Sequence, residues 1–516
     1  MAVVGFGLAV AWLLGSGAIW NPVAENAARA VACLLAATLL AWATIETRSA
    51  PAARRALLAA ALLGLAAFYN FGAVRHFTDT RFVNLWEQFH YQLGSKYFPE
   101  LGYDGLYVAS LAAEHEQRGA TAVPALVRDL RTNRLKPEAS LLLHAAEVRG
   151  RFSSERWRAF AADHAHFVSE SREGFLAGVR RDHGYNPPPS WTAVARIFSA
   201  RLPASDPGLT LLATLDILWM GVAFAVAYRT FGLPAAAAAL ALFGLAHGWR
   251  YLYVGAFQRL DWLAAVVIGL CQIERRRFGW AGFCIGYAAA VRLFPALLLF
   301  GLAVHGARDL VRGERPRWAL RFASTFALAV ILLAAAGCFA GRGPAAWSEF
   351  ARDIRLHAST WAPTRVGLTN VLVNAPALAA WPTARAEALR EWPNPPRKVE
   401  EWSREHRVLR GVAAAAGLAL LAFAAWHAPL RESFPLGLGA VFVAIPLGSY
   451  YWIMLAVLPL CRGARAAIPV LALSAGVFTA DALGAPLPLS HALMSVGLFV
   501  ALLAPVAPAV RKRLTA

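Results

Sequence analysis

Two kinds of residue in this 516-residue chain have the chemistry to act on a substrate. Carboxylates beside apolar runs can take a proton, and arginines that interrupt such runs can hold an anion. Asp79, in His76-Phe77-Thr78-Asp79-Thr80-Arg81, directly follows an apolar stretch, where a carboxylate could deprotonate or position an acceptor hydroxyl. An Asp capping a helix, satisfied by backbone donors, is the alternative. Asp104, in Gly102-Tyr103-Asp104-Gly105, is the second catalytic candidate, with an Asp-Gly turn as its simpler explanation. Arg292 divides two apolar segments in Ala290-Val291-Arg292-Leu293-Phe294-Pro295 and could grip a phosphate in two directions. An arginine snorkelling to a membrane interface beside a helix-starting proline fits the same residues.

Further candidates cluster at the ends of apolar runs. Arg250 lies among aromatics in His247-Gly248-Trp249-Arg250-Tyr251, and Gln258, Arg259 and Asp261 follow soon after. Charges at such depth pair with one another or serve a polar cavity. Arg355, His357 and Arg365 could converge on an anionic head group, or form a solvated helical face. Tyr450 and Tyr451 could cap the same cavity or belong to an aromatic belt. Tyr185 and Asn186 precede Pro187-Pro188-Pro189, a stiff extended run that would hold them in place or act only as a linker. Seven of the thirteen histidines lie between His76 and His183, yet their spacing completes no tetrahedral signature, so no metal site is assigned. The five cysteines lie in or beside apolar runs, without a disulfide or zinc pattern.

The elements that must position these residues follow from composition. The chain is 58% hydrophobic and 16% charged, against about 25% charged in ordinary globular proteins. A soluble fold could not hide that much apolar surface, so an all-α polytopic membrane protein is expected. Its net charge of +19 comes almost wholly from arginine, and no basic domain separates from the apolar regions, which argues against nucleic acid as a partner. Apolar runs near residues 3–20, 29–47, 55–73, 209–228, 232–247, 259–273, 279–291, 293–306, 318–339, 409–427, 435–447, 450–461, 466–480 and 488–507 give fourteen candidate crossings. With the amino terminus in the cytoplasm, Arg54, Arg55, Arg275-Arg276-Arg277, Arg312, Arg315 and Arg465 all fall inside, as the positive-inside rule requires.

Five regions result: helices over 1–74, a large outward cap over 75–205, a central bundle over 206–339, a second outer loop over 340–408 and carboxy-terminal helices over 409–516. Phe82, Leu85, Trp86, Phe89 and Leu93 define one apolar face, opposite Asn84, Glu87 and Gln88, as in an amphipathic helix lying at the interface. A second such region runs from Phe152 to Phe175. The segment 366–381, with Asn370, Asn374 and Pro376, reads as re-entrant or interface-lying, with one more ordinary span as the alternative.

Together these features resemble the membrane glycosyltransferases of the C superfamily, and family 87 in particular. Asp79 after an early span carries the resemblance, with the Tyr185 to Pro189 run and Gln258 to Leu263 opening a span. The small-residue-rich stretch Gly279 to Arg292, with Pro295 three positions on, and Ser449-Tyr450-Tyr451 before Pro459 complete it. Arg292 stands where the family usually has lysine. The resemblance implies a C-superfamily-like helical bundle in a bacterial-type cytoplasmic membrane, with its site facing the exterior or periplasm. It implies a polyprenyl-phosphate-linked hexose or pentose as donor, in contact with membrane lipids, and a glycan, lipid or protein as acceptor. Asp79 would be the base of an inverting transfer, and Arg292 with Arg259 would stabilise the departing phosphate. A divalent cation is compatible with this chemistry, and no other cofactor is implied. A lipid or polysaccharide transporter using the same charges, or a structural envelope protein, is the alternative.

Overall fold

The computed structural model describes residues 22–45, 50–72, 82–118, 126–248, 252–380, 396–505 and 507. The expected first span, over residues 3–20, lies outside them. Apart from one two-stranded hairpin, the regular structure of the described residues is helical. Among the described residues, seven helices are long and apolar enough to cross a membrane: Pro22–Ile45, Ala50–Phe68, Asp206–Leu245, Phe294–Val311, Arg317–Cys338, Arg407–His427 and Ala464–Ala482. The protein is therefore an all-α, multi-pass membrane protein.

Asp206–Leu245 has 40 residues and would extend about 60 Å if straight. It is not straight. Gly232 adopts φ 77°, and Pro234 follows it, so the helix breaks and folds back. Phe224 and Phe243, on opposite limbs, meet edge to face with ring centroids 5.4 Å apart. The two limbs match the two crossings expected over 209–228 and 232–247. The second limb meets Ala50–Phe68 backbone to backbone at Gly64 and Gly244, where an added Cβ on either residue would overlap the other helix.

Several other expected crossings are short. Asp261–Glu274 and Phe278–Arg292 form an antiparallel pair of 14 and 15 residues, each only about 21–23 Å long against a hydrocarbon core of about 30 Å. Leu430–Ala444 is also 15 residues long. Short 3₁₀ segments at Phe294–Leu299 and Ser449–Val457 continue the chain beside them. Leu368–Ala380, the segment expected to be re-entrant, is a 13-residue helix, too short to span. Its Asn370 and Asn374 are buried, with the Asn370 amide donating to the Pro488 carbonyl.

Residues 82–199 build the cap. Their apolar faces form a core around Phe89, Phe160, Phe167 and Phe175. This corrects the expected interface-lying helix. Asn84, Glu87 and Gln88 are all buried, because their polar face packs onto the bundle rather than facing water. Gln88 Nε2 donates to the Leu209 carbonyl at the start of the long helix. His164, within the second amphipathic region, is likewise buried, bonded to Ser110 Oγ at 2.8 Å. Asp163 ties the cap together and to the residues leading into the long helix: it accepts from Lys96 Nζ at 2.7 Å, from Tyr97 at 2.8 Å and from the Ala204 backbone at 2.8 Å. A hairpin of strands Leu126–Asp129 and Arg134–Pro137, not foreseen in the sequence, crosses the cap.

Alternation of helix direction carries Arg229, Arg275, Arg276, Arg277, Arg312, Arg315 and Arg465 to the end of the bundle opposite the cap.

Candidate substrate cleft

Where cap, bundle and second loop meet, two adjoining cavities of about 750 and 860 Å³ share Tyr91, Asn186, Arg259, His357, Arg365, Gly448 and Tyr450 as lining. They form one cleft. One side is cationic and aromatic, with Arg292, Phe294 and Tyr451; the other carries Glu87, His90, Asp182 and His183.

Each cation arrives by a different route. Arg259 precedes the helix Asp261–Glu274, whose leading amides are capped by a remote carboxylate. Asp216 accepts from Arg259 N and Leu260 N, both at 2.9 Å. Gln258 before it holds φ 52°, a strained conformation for a residue other than glycine. The Arg259 guanidinium pairs with Glu87 at 2.9 Å, bonds to the Tyr91 hydroxyl and lies 4.5 Å from the Tyr91 ring centroid. Arg292 ends the helix Phe278–Arg292, a position the helix dipole favours for a cation. Leu293, at φ 54°, then turns the chain sharply into Pro295. The Arg292 guanidinium lies 5.4 Å from the Trp191 ring and donates weakly to the Gln258 carbonyl at 3.5 Å. Arg365 belongs to the second loop, held where Val366 N donates to Leu447 O and Ser449 N donates to Thr364 O. Its guanidinium donates to the Pro446 and His357 carbonyls at 2.6 and 3.1 Å. Among the described residues no carboxylate pairs with Arg292 or Arg365.

The opposite wall is equally built. Glu87 sits on the short helix Leu85–Gln88, whose N-cap Asn84 accepts from Glu87 N and donates its backbone N–H to Gly255 O. A π-helical turn, Phe89–Leu93, follows and turns both His90 and Tyr91 toward the cleft. His90 Nδ1 faces the Trp86 carbonyl at 2.9 Å and so carries the proton, leaving Nε2 to accept from the Tyr107 hydroxyl at 2.7 Å. That hydroxyl accepts in turn from Gly184 N. Asp182 Oδ2 accepts from Trp86 Nε1 and Oδ1 from His183 N, both at 2.8 Å. His183 Nδ1 donates to Asn133 Oδ1 at 2.9 Å, and Asn133 Nδ2 donates to Thr360 Oγ1, so the hairpin turn joins both loops.

Electrostatics separates these groups. Burial pushes Glu87 up to about 7, against the pull of Arg259. Burial would also raise Asp182; with His90 and His183 neutral, the bonds donated by the Trp86 indole and the His183 amide are what favour its charged form. His183 and His357 face each other with centroids 5.1 Å apart. Burial, reinforced by Arg128 at His183 and by Arg365 at His357, lowers them to about 4 and about 3, so both rings are neutral at neutral pH.

Of the residues singled out in the sequence, Arg259, Arg292, His357, Arg365, Asn186, Tyr450 and Tyr451 line the cleft. Others support it from behind. Tyr185 is 1% exposed and bonds to Thr192 at 2.6 Å. Gln258 contributes its carbonyl, which accepts from Trp191 Nε1 at 3.1 Å. Asp261 is buried and accepts from the Tyr287 hydroxyl at 2.9 Å. Two candidates sit elsewhere. Asp104 belongs to an ion network on the cap, accepting from Arg131 at 3.0 Å and Arg151 at 3.2 Å, because the arginine-rich cap surface captures it. Arg355 is exposed on the helix Ala345–Ser359, one position off the face that carries Ile354 and His357 to the cleft. Asp79 and Arg250 lie outside the described residues. Sequence reasoning missed Glu87, His90, Tyr91, Asp182 and His183 as a site; the pairing of Asp182-His183 with the Tyr185 to Pro189 run was the available signal.

Among the described residues, the group of three side chains close enough to share a metal ion is His166, Glu170 and Asp206, none of which lines the cleft. The chain matches no protein-family model, no curated protein and no solved structure.

Proposed function

We propose that the protein transfers a monosaccharide from a polyprenyl-phosphate-linked donor to a glycan, lipid or protein acceptor at the exterior face of a bacterial-type cytoplasmic membrane. One observation carries this reading: two guanidiniums, Arg292 and Arg365, line the cleft without a direct ion pair to any carboxylate among the described residues. Charge in such a place is costly unless neutralised, and a ligand phosphate would neutralise it. Arg259, already paired with Glu87, adds a third positive group on the same wall. Bidentate guanidinium contacts suit a phosphate that gains charge as its bond to the sugar breaks.

The aromatic lining fits the rest of the donor. Tyr91, Tyr450 and Tyr451 offer ring faces to a sugar, and Leu293, Phe294, Ile354 and Ile445 form an apolar margin for the first units of a lipid chain. Exposure of Leu293, at 45%, opens that margin sideways. With the arginine-rich end of the bundle in the cytoplasm, the cleft faces outward. The resemblance to family 87 supports the same arrangement.

The test uses purified full-length protein in liposomes, supplied with a panel of undecaprenyl-phosphate hexoses and pentoses and a membrane extract as acceptor source. Release of undecaprenyl phosphate coupled to labelled product is the expected result. Passage of uncleaved donor across the bilayer would instead make the protein a transporter.

A further inference from the structure

We propose that Asp182 is the carboxylate that takes the proton from the acceptor hydroxyl, a role that rests on the glycosyl-transfer reading above. Among the described residues two carboxylates line the cleft, Glu87 and Asp182. Glu87 is 5% exposed and committed to Arg259, so its charge is already used in fixing a guanidinium. Asp182 is partly open to the cleft, and among the described residues no lysine or arginine side chain pairs with its carboxylate. Each of its oxygens accepts one hydrogen bond, from Trp86 Nε1 and from His183 N. A carboxylate oxygen has room for a second, which leaves each able to receive a hydroxyl from the cleft.

The backbone beneath this carboxylate is held from three sides. Arg128 Nε donates to the carbonyls of Arg181 and Asp182 at 2.9 and 3.0 Å. Gly184 N donates to Tyr107, and Gly184 itself takes φ 70° with Leu130 filling the space where a Cβ would stand. The Trp86 indole fixes the side chain's rotation. Such support is what a reacting group needs and an incidental loop aspartate lacks. The hydrogen bonds that orient Asp182 also keep it ionised near neutral pH. It is a weak base towards a free hydroxyl, yet it need accept the proton only as the new bond forms.

The step balances. The acceptor oxygen bonds to the anomeric carbon, and the anomeric carbon–oxygen bond to phosphate breaks with its electron pair on the leaving lipid phosphate. The acceptor's proton passes to Asp182 and then to water. Asp182 and the guanidiniums of Arg259 and Arg365 line the same cavity, so acceptor and donor phosphate can meet within it.

The experiment compares wild type with Asp182→Asn, Asp79→Asn and Trp86→Phe, using the full chain in liposomes and the undecaprenyl-phosphate sugar that wild type turns over. Asp182→Asn should reduce transfer by about 10²–10⁴-fold, with donor KM within threefold and thermal stability unchanged. Trp86→Phe removes one bond that favours the ionised carboxylate, so the acid limb of the kcat profile should move to higher pH, a shift that a purely structural loss would not produce. That second variant keeps the proposal testable if Asp182→Asn folds poorly. Activity of Asp182→Asn within threefold of wild type, or an unmoved acid limb in an active Trp86→Phe protein, would overturn the role of Asp182. So would loss in Asp79→Asn alone. If wild type itself releases no undecaprenyl phosphate, the glycosyl-transfer reading falls and takes this role with it.

Discussion

Arg292 and Glu87 set the charge of the cleft, and each makes a separate prediction. Arg292 supplies donors where negative charge develops, so Arg292→Ala should lower kcat by about 10²–10³-fold, the usual loss for one such donor. Arg292→Lys should recover part of it, since a point charge remains but the planar fork does not. Steady-state assays with a lipid-phosphate sugar check both. Glu87 is shifted up to about 7, first by burial and against Arg259. Lowering the pH through 7 therefore protonates Glu87 and adds one net positive charge beside the phosphate. Donor KM should fall severalfold between pH 8 and pH 6, and Glu87→Gln should flatten that dependence; a wild-type KM that rises over this range would contradict it. Arg259, Arg292, Tyr450 and Tyr451 were legible in the chain because they interrupt apolar runs, where polar residues stand out. Glu87 and Asp182 were not, because they lie in a polar stretch where carboxylates are common and only tertiary burial distinguishes them. Asp104 drew attention for its Asp-Gly setting, but Arg131 and Arg151 claim it on the cap.

At the level of elements, the cleft depends on segments that do not span the membrane. Gly184 brings Asp182 and His183 round beneath the hairpin, with an added Cβ meeting Leu130 at 2.7 Å. Gly184→Ala should cost about 1–3 kcal/mol in local strain and reduce transfer while the protein still inserts into membranes. Purified yield, thermal stability and turnover together check this. Asp163 is the corresponding support within the cap, where it also holds the residues leading into the long helix. Asp163→Ala leaves Lys96 buried without its partner, a loss of about 3–5 kcal/mol, and should lower the midpoint of thermal unfolding. The apolar periodicity located most of these helices, because crossing lipid demands uninterrupted internal hydrogen bonding. It could not reveal the hairpin over Leu126–Pro137, whose short strands are rich in charge. Nor could it reveal that the polar face of Leu85–Gln88 would be buried, since that depends on Arg259 and Leu209 from distant parts of the chain.

The whole molecule has two unlike ends. The cap and cleft occupy one, and the arginine clusters around Arg276 and Arg315 occupy the other. If that polarity follows the positive-inside rule, a membrane-impermeant thiol reagent applied to intact cells should label Ser359→Cys, near the cleft, and spare Gly313→Cys at the opposite end. The reverse pattern would turn the molecule over and place the cleft in the cytoplasm. Most direct of all is a cryo-electron microscopy map of the full chain in nanodiscs with an undecaprenyl-phosphate sugar. Phosphate density is expected among Arg259, Arg292 and Arg365 with the sugar toward Asp182; phosphate bound at the arginine-rich opposite end, with the cleft left empty, would overturn the proposed site.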